Sequence, residues 1–190
     1  MRLKDDIKQE ALFEATVATV NEIGFAASSV SKIAKAAKVS PATLYVYHKN
    51  KEELLIHCYV RIKQIMGQLL LEDFDEAEPI RDCLKHLWMK TFAFAQAHGA
   101  YFQYIEQFSN SPYKERVNAA EVESYFAPLF RVMDRGIEQK IIKNVSYDIL
   151  AAFIFYPATA LANPRLCNDF ELTPENIEGA FNLAWDAVKR

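Results

Sequence analysis

Apolar residues recur at helical spacing through most of this chain, and few runs alternate as a half-buried strand would. Val30, Ile33, Ala34 and Ala37 stand at i, i+3, i+4 and i+7, one buried stripe of a short helix. Ser29 precedes the stripe, where its hydroxyl can accept from the free N–H groups of the first turn. Val39 interrupts a polar turn formed with Lys38 and Ser40 and can fill the space between two helices. Pro41 then suits a first helical turn, because its missing N–H costs nothing there. On that second helix Leu44 and His48 share one face. Ala42, Thr43, Val46 and Tyr47 fall elsewhere around it, with Pro41 and Tyr45 between. The pattern over residues 30–51 predicts a helix-turn-helix.

Helical periodicity extends on both sides. A first helix is expected over about residues 5–23, stopped by Gly24 as a C-terminal cap. Another starts near Lys51 and carries Leu54, Leu55, Cys58, Ile62, Ile65, Met66 and Leu69 on one broad face. The acidic stretch 72–79, closed by Pro79, reads as a solvated linker. Residues 80–98 form an apolar-rich helix, Gly99 opens a turn, 101–108 form a short aromatic helix, and residues 109–112 break it. Val122, Tyr125, Phe126, Leu129, Met133 and Ile137 again share a stripe, and Pro128 inside it predicts a kink or two helices. Residues 147–163 are apolar nearly all round, with Ser146 as a cap and Pro157 as a bend. Thr173, Pro174 and Glu175 supply the cap, first-turn proline and first-turn acid of a last helix.

These elements predict an all-α fold. A three-helix head occupies residues 1–50 and a bundle of about six helices residues 51–190, with the helix 51–71 connecting them. Composition agrees, since only five glycines occur in 190 residues and 51% are apolar.

Charge localises the partner. Overall the chain carries −3, yet residues 25–51 contain five lysines and no acid, and residues 1–51 sum to +3. A helix-turn-helix with charge of one sign is the electrostatic footprint of a duplex-DNA reader.

Residues 7–58 resemble the TetR family of transcriptional regulators. Leu12, Phe13, Thr16, Val17 and Val20, followed by Gly24 and Phe25, match its first helix and stop. Ser29, Val30, Ile33 and Ala34, then Val39 and Ser40, match helix two and the turn. Thr43, Leu44, Tyr45 and Tyr47, then Lys51, Glu52, Leu54 and Leu55, match the recognition helix and the start of helix four. Three positions depart from the pattern. Lys38 replaces the usual turn glycine, Val20 a large aromatic, and His48 an inward phenylalanine, which could make the head's packing pH-sensitive.

The resemblance implies that Ser40, Pro41, Ala42, Tyr45 and Val46 enter or border the major groove. Thr43, Tyr47 and Lys51 would hold phosphates, Ser29, Ser31 and Lys32 complete the clamp, and Lys49 adds a surface charge. The groove-facing set lacks Arg, Asn and Gln, so thymine methyls and DNA shape are expected to carry much of the specificity. Arg2 and Lys4 could add minor-groove contacts. One short recognition helix calls for a homodimer on a palindromic operator. Ile149, Phe153 and Tyr156, with Phe181, Trp185 and Val188, are the expected interface.

The rest of the chain is the candidate regulatory half. Trp88, Phe92, Tyr101, Phe102, Tyr104, Phe108, Tyr125 and Phe126 could line a pocket for a small, largely apolar effector or simply fill a core. A charged effector such as an acyl-thioester would call for more Arg and Lys than this half displays. No cofactor or metal is expected, because no His-x3-His or Cys-x2-Cys spacing and no glycine-rich phosphate loop occurs. An enzyme is therefore disfavoured. A DNA-binding regulator without a ligand is the nearer alternative. Cys58, Cys83 and Cys167 suit free thiols in a reducing cytoplasm, and no apolar run approaches the ~18 residues of a membrane span.

Overall fold

Gly24 takes φ 76° and ψ 168°, and there the first helix leaves helical geometry before resuming to Ala27. The computed structural model describes residues 2–190, with side chains from Asp5 onward, so the expected roles of Arg2 and Lys4 lie outside the described side chains. Among the described residues the chain is all-α, with eleven α-helices and a single isolated bridge between Ile142 and Lys189. In chain order these are α1 (Arg2–Ala27), α2 (Val30–Ala36), α3 (Pro41–Tyr47), α4 (Lys51–Leu70), α5 (Ile80–Ala97), α6 (Gly99–Ser109), α7 (Ala119–Ser124), α8 (Ala127–Glu138), α9 (Tyr147–Ile154), α10 (Tyr156–Leu161) and α11 (Pro174–Val188).

The bundle expected to hold about six helices holds eight, α4 to α11, because two prolines divide it. Pro128 falls in the first turn of α8, after α7 has ended at Ser124. Pro157 falls in the first turn of α10, after α9 has ended at Ile154. In each case the missing N–H sits where a helix needs no donor.

Packing groups the chain into two units. The first comprises residues 1–64 and 100–122, the second residues 65–99 and 123–190. These bounds differ from the expected division after residue 50, because the aromatic helix α6 packs on the head. In the first unit Leu12, Phe13, Val17 and Val20 of α1 are buried with Ile33, Leu44, Leu54, Leu55 and Ile62. Phe25 meets Tyr104 and Phe108 edge to face, with ring centres 5.4 and 5.8 Å apart. Tyr104, fully buried, donates its hydroxyl to the carbonyl of Leu55 at 2.9 Å. That bond satisfies the polar tip of a ring whose body is core.

The second unit is built around α5, whose Leu84, Leu87, Trp88, Thr91 and Phe92 are buried. Trp88 stacks on Phe92 at 5.6 Å and meets Phe181 of α11 edge to face at 6.0 Å. Gly136 lets α8 come close, since a Cβ there would lie 3.1 Å from Ile80 and from Ile142. The C-terminus is tied by Lys143 N–H donating to Val188 O and Arg190 N–H to Ile141 O, both at 2.9 Å.

Candidate nucleic-acid interface

The turn between α2 and α3 is closed by backbone alone. Lys38 N–H donates to Lys35 O at 3.1 Å and Val39 N–H to Ala34 O at 3.0 Å, a Schellman pair that satisfies the last carbonyls of α2. The geometry needs a left-handed residue, and Lys38 supplies it at φ 57°. A lysine in the place of glycine thus makes the same turn at a steric cost.

Both helices of the pair start on serine caps. Ser29 Oγ accepts from Lys32 N–H at 3.3 Å, and Ser40 Oγ accepts from Thr43 N–H at 3.1 Å. Ser40 and Thr43 also join their hydroxyls at 2.9 Å, which fixes both side chains at the exposed tip of α3. Leu44 is the one fully buried residue of α3 and anchors it. Ser40, Pro41 and Ala42 are exposed, as are Tyr45 at 55% and Val46 at 76%. An exposed tyrosine and valine side by side on a short helix leave apolar surface that water does not reward. Ser31 and Lys32 are exposed on α2, as is Lys49 beyond α3.

Two expected phosphate ligands make internal contacts as well. Tyr47 donates its hydroxyl to Asp5 Oδ1 at 3.1 Å. Lys51 donates from its ammonium to Phe25 O at 2.7 Å and Ser28 O at 2.6 Å, and burial lowers its pKa. Its charge thereby caps the end of α1 and holds the corner that leads to Ser29. An ammonium has three N–H donors, so one remains for a phosphate. The start of α4 is capped by Asn50 Oδ1, which accepts from Glu53 N–H at 2.8 Å, while Glu53 accepts from Lys49 N–H at 2.7 Å.

Behind α3, His48 closes the helix and faces His57 of α4, with ring centres 5.1 Å apart. Burial lowers both pKa values. Each is further lowered by a neighbouring positive centre, His57 for His48 and Arg61 for His57, and raised in part by Glu53.

The expected effector residues are divided between the two units. Tyr101, Phe102, Tyr104 and Phe108 belong to the first, Trp88, Phe92, Tyr125 and Phe126 to the second. Trp88, Tyr104 and Phe108 are wholly buried, packed as core. Tyr101 is half-buried and donates to Glu14 Oε1 at 2.6 Å. Lys114, which sequence reasoning did not single out, reaches Tyr59, with its ammonium 3.4 Å from the Tyr59 hydroxyl. Its signal is faint in sequence, since Tyr59 and Lys114 lie 55 positions apart.

The expected dimer residues also separate. Ile149 (48%), Phe153 (56%) and Tyr156 (62%) are exposed, but Phe181 and Val188 are buried inside the chain's own core and have no surface for a second copy. On the same helix Leu183 is 75% exposed, and Ala180 and Ala187 lie near it along one groove. With Phe153, Pro157, Leu161 and Phe170 these line an open apolar groove of about 710 Å3. Trp185 is half-buried.

Family comparisons agree with this geometry. Residues 12–58 match the bacterial regulatory proteins of the tetR family, and residues 79–189 match a tetracyclin repressor-like C-terminal domain. A TetR family transcription regulator from Marinobacter aquaeolei VT8 superposes with a TM-score of 0.90 at 38% identity, over 100% of this chain and 99% of that one. The fatty acid metabolism regulator protein of Bacillus subtilis is 32% identical over 143 residues, 72% of each chain. The transcriptional regulator FadR from Bacillus subtilis, solved in complex with stearoyl-CoA, shares the fold with a TM-score of 0.71 at 23% identity, over 94% and 97% of the two chains. This chain belongs to the TetR family of DNA-binding transcriptional regulators.

Proposed function

We propose that this regulator works in the cytoplasm as a homodimeric repressor on a palindromic operator, released by a small, largely apolar effector. The observation that carries the DNA reading is the exposed tip of α3, where Tyr45 and Val46 project beside Ser40, Pro41 and Ala42 on a helix whose one buried side chain is Leu44. Those five side chains would face the bases. Ser29, Ser31, Lys32, Thr43, Tyr47, Lys49 and Lys51 would hold the phosphates that set register without reading sequence. Two copies paired through α9 and α11 would place two recognition helices on successive major grooves, roughly 34 Å apart.

Release requires the effector to bind one state of the protein better than the other. In the state with the effector, α4 would tilt and the recognition helices would lose their match to successive grooves. The likeness to a FadR holding stearoyl-CoA supports an effector with a long apolar body. A second reading, control without a small molecule, draws on the full burial of Trp88, Tyr104 and Phe108. Footprinting on selected DNA tests the proposal. Two protected half-sites one helical turn apart, lost together in a monomeric variant, support it. A single protected half-site contradicts it.

A further inference from the structure

Of the five lysines in residues 25–51, two are held inside the head. The ammonium of Lys32 donates to Ala27 O at 3.1 Å, and that of Lys51 to Phe25 O and Ser28 O. Lys38 is placed differently. Its backbone N–H closes the turn on Lys35 O, while its side chain is exposed. Among the described residues the Lys38 ammonium makes no ion pair and no hydrogen bond. All three of its N–H donors therefore face water.

Nothing in the free protein favours a lysine here. At φ 57° its Cβ crowds the following carbonyl, a clash that glycine escapes. No acid stands between residues 25 and 51, and Lys35 three positions earlier carries the same sign. Strained positions of this kind gather at ligand clamps. Asp73 and Lys140 share the conformation, but both belong to the second unit. Conformation alone thus does not single out Lys38; conformation, an unpaired charge and its place together do. In a helix-turn-helix on DNA the first helix crosses the phosphate backbone and the second enters the groove, so the turn passes the strand's edge. Lys38 is two residues from exposed Ser40, no more than ~7 Å between Cα atoms, and its four-carbon stem adds reach.

We propose that Lys38 is a further DNA contact, its ammonium holding a phosphate of the strand that the turn crosses at the mouth of the major groove. The proposal rests on the reading of α3 as the recognition helix and adds a cation that the turn itself supplies. Binding then offsets the steric cost of the left-handed lysine. A contact to phosphate sets position and affinity and reads no base. Stability and DNA affinity therefore make opposite demands on residue 38.

The test is thermal unfolding and salt-dependent anisotropy of the full chain on the duplex that the parent selects from a random pool. Three variants separate charge from strain. Lys38→Gly removes both, Lys38→Met removes the charge alone, and Lys38→Arg removes neither. Lys38→Gly should melt about 2–4 °C above the parent. It should nonetheless bind the duplex roughly tenfold more weakly at ~0.1 M salt, with a salt slope smaller by about one for each copy bound. Lys38→Met should show the same loss of binding without the gain in melting temperature, and Lys38→Arg should keep both parent values. A pool selected with Lys38→Met should return the parent's preferred sequence. Parent-like affinity and slope in Lys38→Met would overturn the contact. A loss confined to Lys38→Gly would overturn it too, by assigning the effect to a loosened turn. The reading of α3 fails separately. If Val46→Asp loses the duplex while all three Lys38 variants keep it, that reading stands and the contact falls. If Val46→Asp binds as the parent does, α3 does not read the groove and the contact falls with it.

Discussion

The ammonium of Lys51 donates to the carbonyl oxygen of Ser28 at 2.6 Å, and so holds the corner between α1 and α2 from the first residue of α4. The same charge is proposed to meet a phosphate, so Lys51→Ala has two expected effects. Stability should fall by roughly 1–2 kcal/mol, the usual loss for a partly buried charge-assisted bond. Affinity for selected DNA should fall with its sequence preference intact, and the salt slope should shrink by about one. Thermal unfolding and salt-dependent anisotropy measure the two. An unchanged melting temperature would mean that Lys51 does not hold the corner.

Lys38 pays a steric cost at φ 57° to close the turn. Lys38→Gly should therefore stabilise the protein by about 1 kcal/mol, since glycine adopts the left-handed region freely. Urea unfolding of the two proteins checks this. A lower midpoint for the glycine variant would show that the lysine side chain compensates elsewhere.

His48 and His57 bring a pH dependence with a definite sign. Both pKa values are lowered in the folded chain, so below 6.5 the unfolded chain takes up the protons first. Their contribution is complete above pH 6.5 and is lost as pH falls through the folded values. Glu53 and Glu121 oppose this in part, and Arg61 reinforces it at His57. His48→Phe should flatten the fall in melting temperature as pH drops below about 6.5. An unaltered acid limb would assign that fall to other groups.

Leu183 and Phe153 leave large apolar surfaces to solvent in the single chain. Leu183→Glu, or Phe153→Glu, should turn a dimer into a monomer in analytical ultracentrifugation. The monomer's own fold should be nearly unaffected, because exposed substitutions usually fall within about 0.5 kcal/mol. Tight operator binding should disappear with the dimer. A dimer that persists in both variants would place the interface elsewhere.

Much of the architecture was legible in the sequence because its signals are local. The serine caps at Ser29 and Ser40, the stop at Gly24, Pro41 and the Thr173-Pro174 start act within one helical turn, and the structure follows each of them. The breaks near Pro128 and Pro157 followed from a missing N–H in the same way. What periodicity could not assign was the neighbour that each apolar stripe meets. Phe181 and Leu183 belong to one helix two residues apart, yet one is wholly buried and the other 75% exposed. That outcome depends on α5, which lies far away in sequence. The packing of α6 on Phe25 and the inward turn of Lys51 are long-range in the same sense.

The most direct test of the central claim is selection of bound duplexes from a random DNA pool with the full chain, repeated with Val46→Asp. The account predicts enrichment of one palindrome by the parent protein, and loss of that enrichment when a carboxylate replaces the exposed valine of α3. A pool that stays random with the parent protein, or the same palindrome recovered undiminished with Val46→Asp, would contradict it.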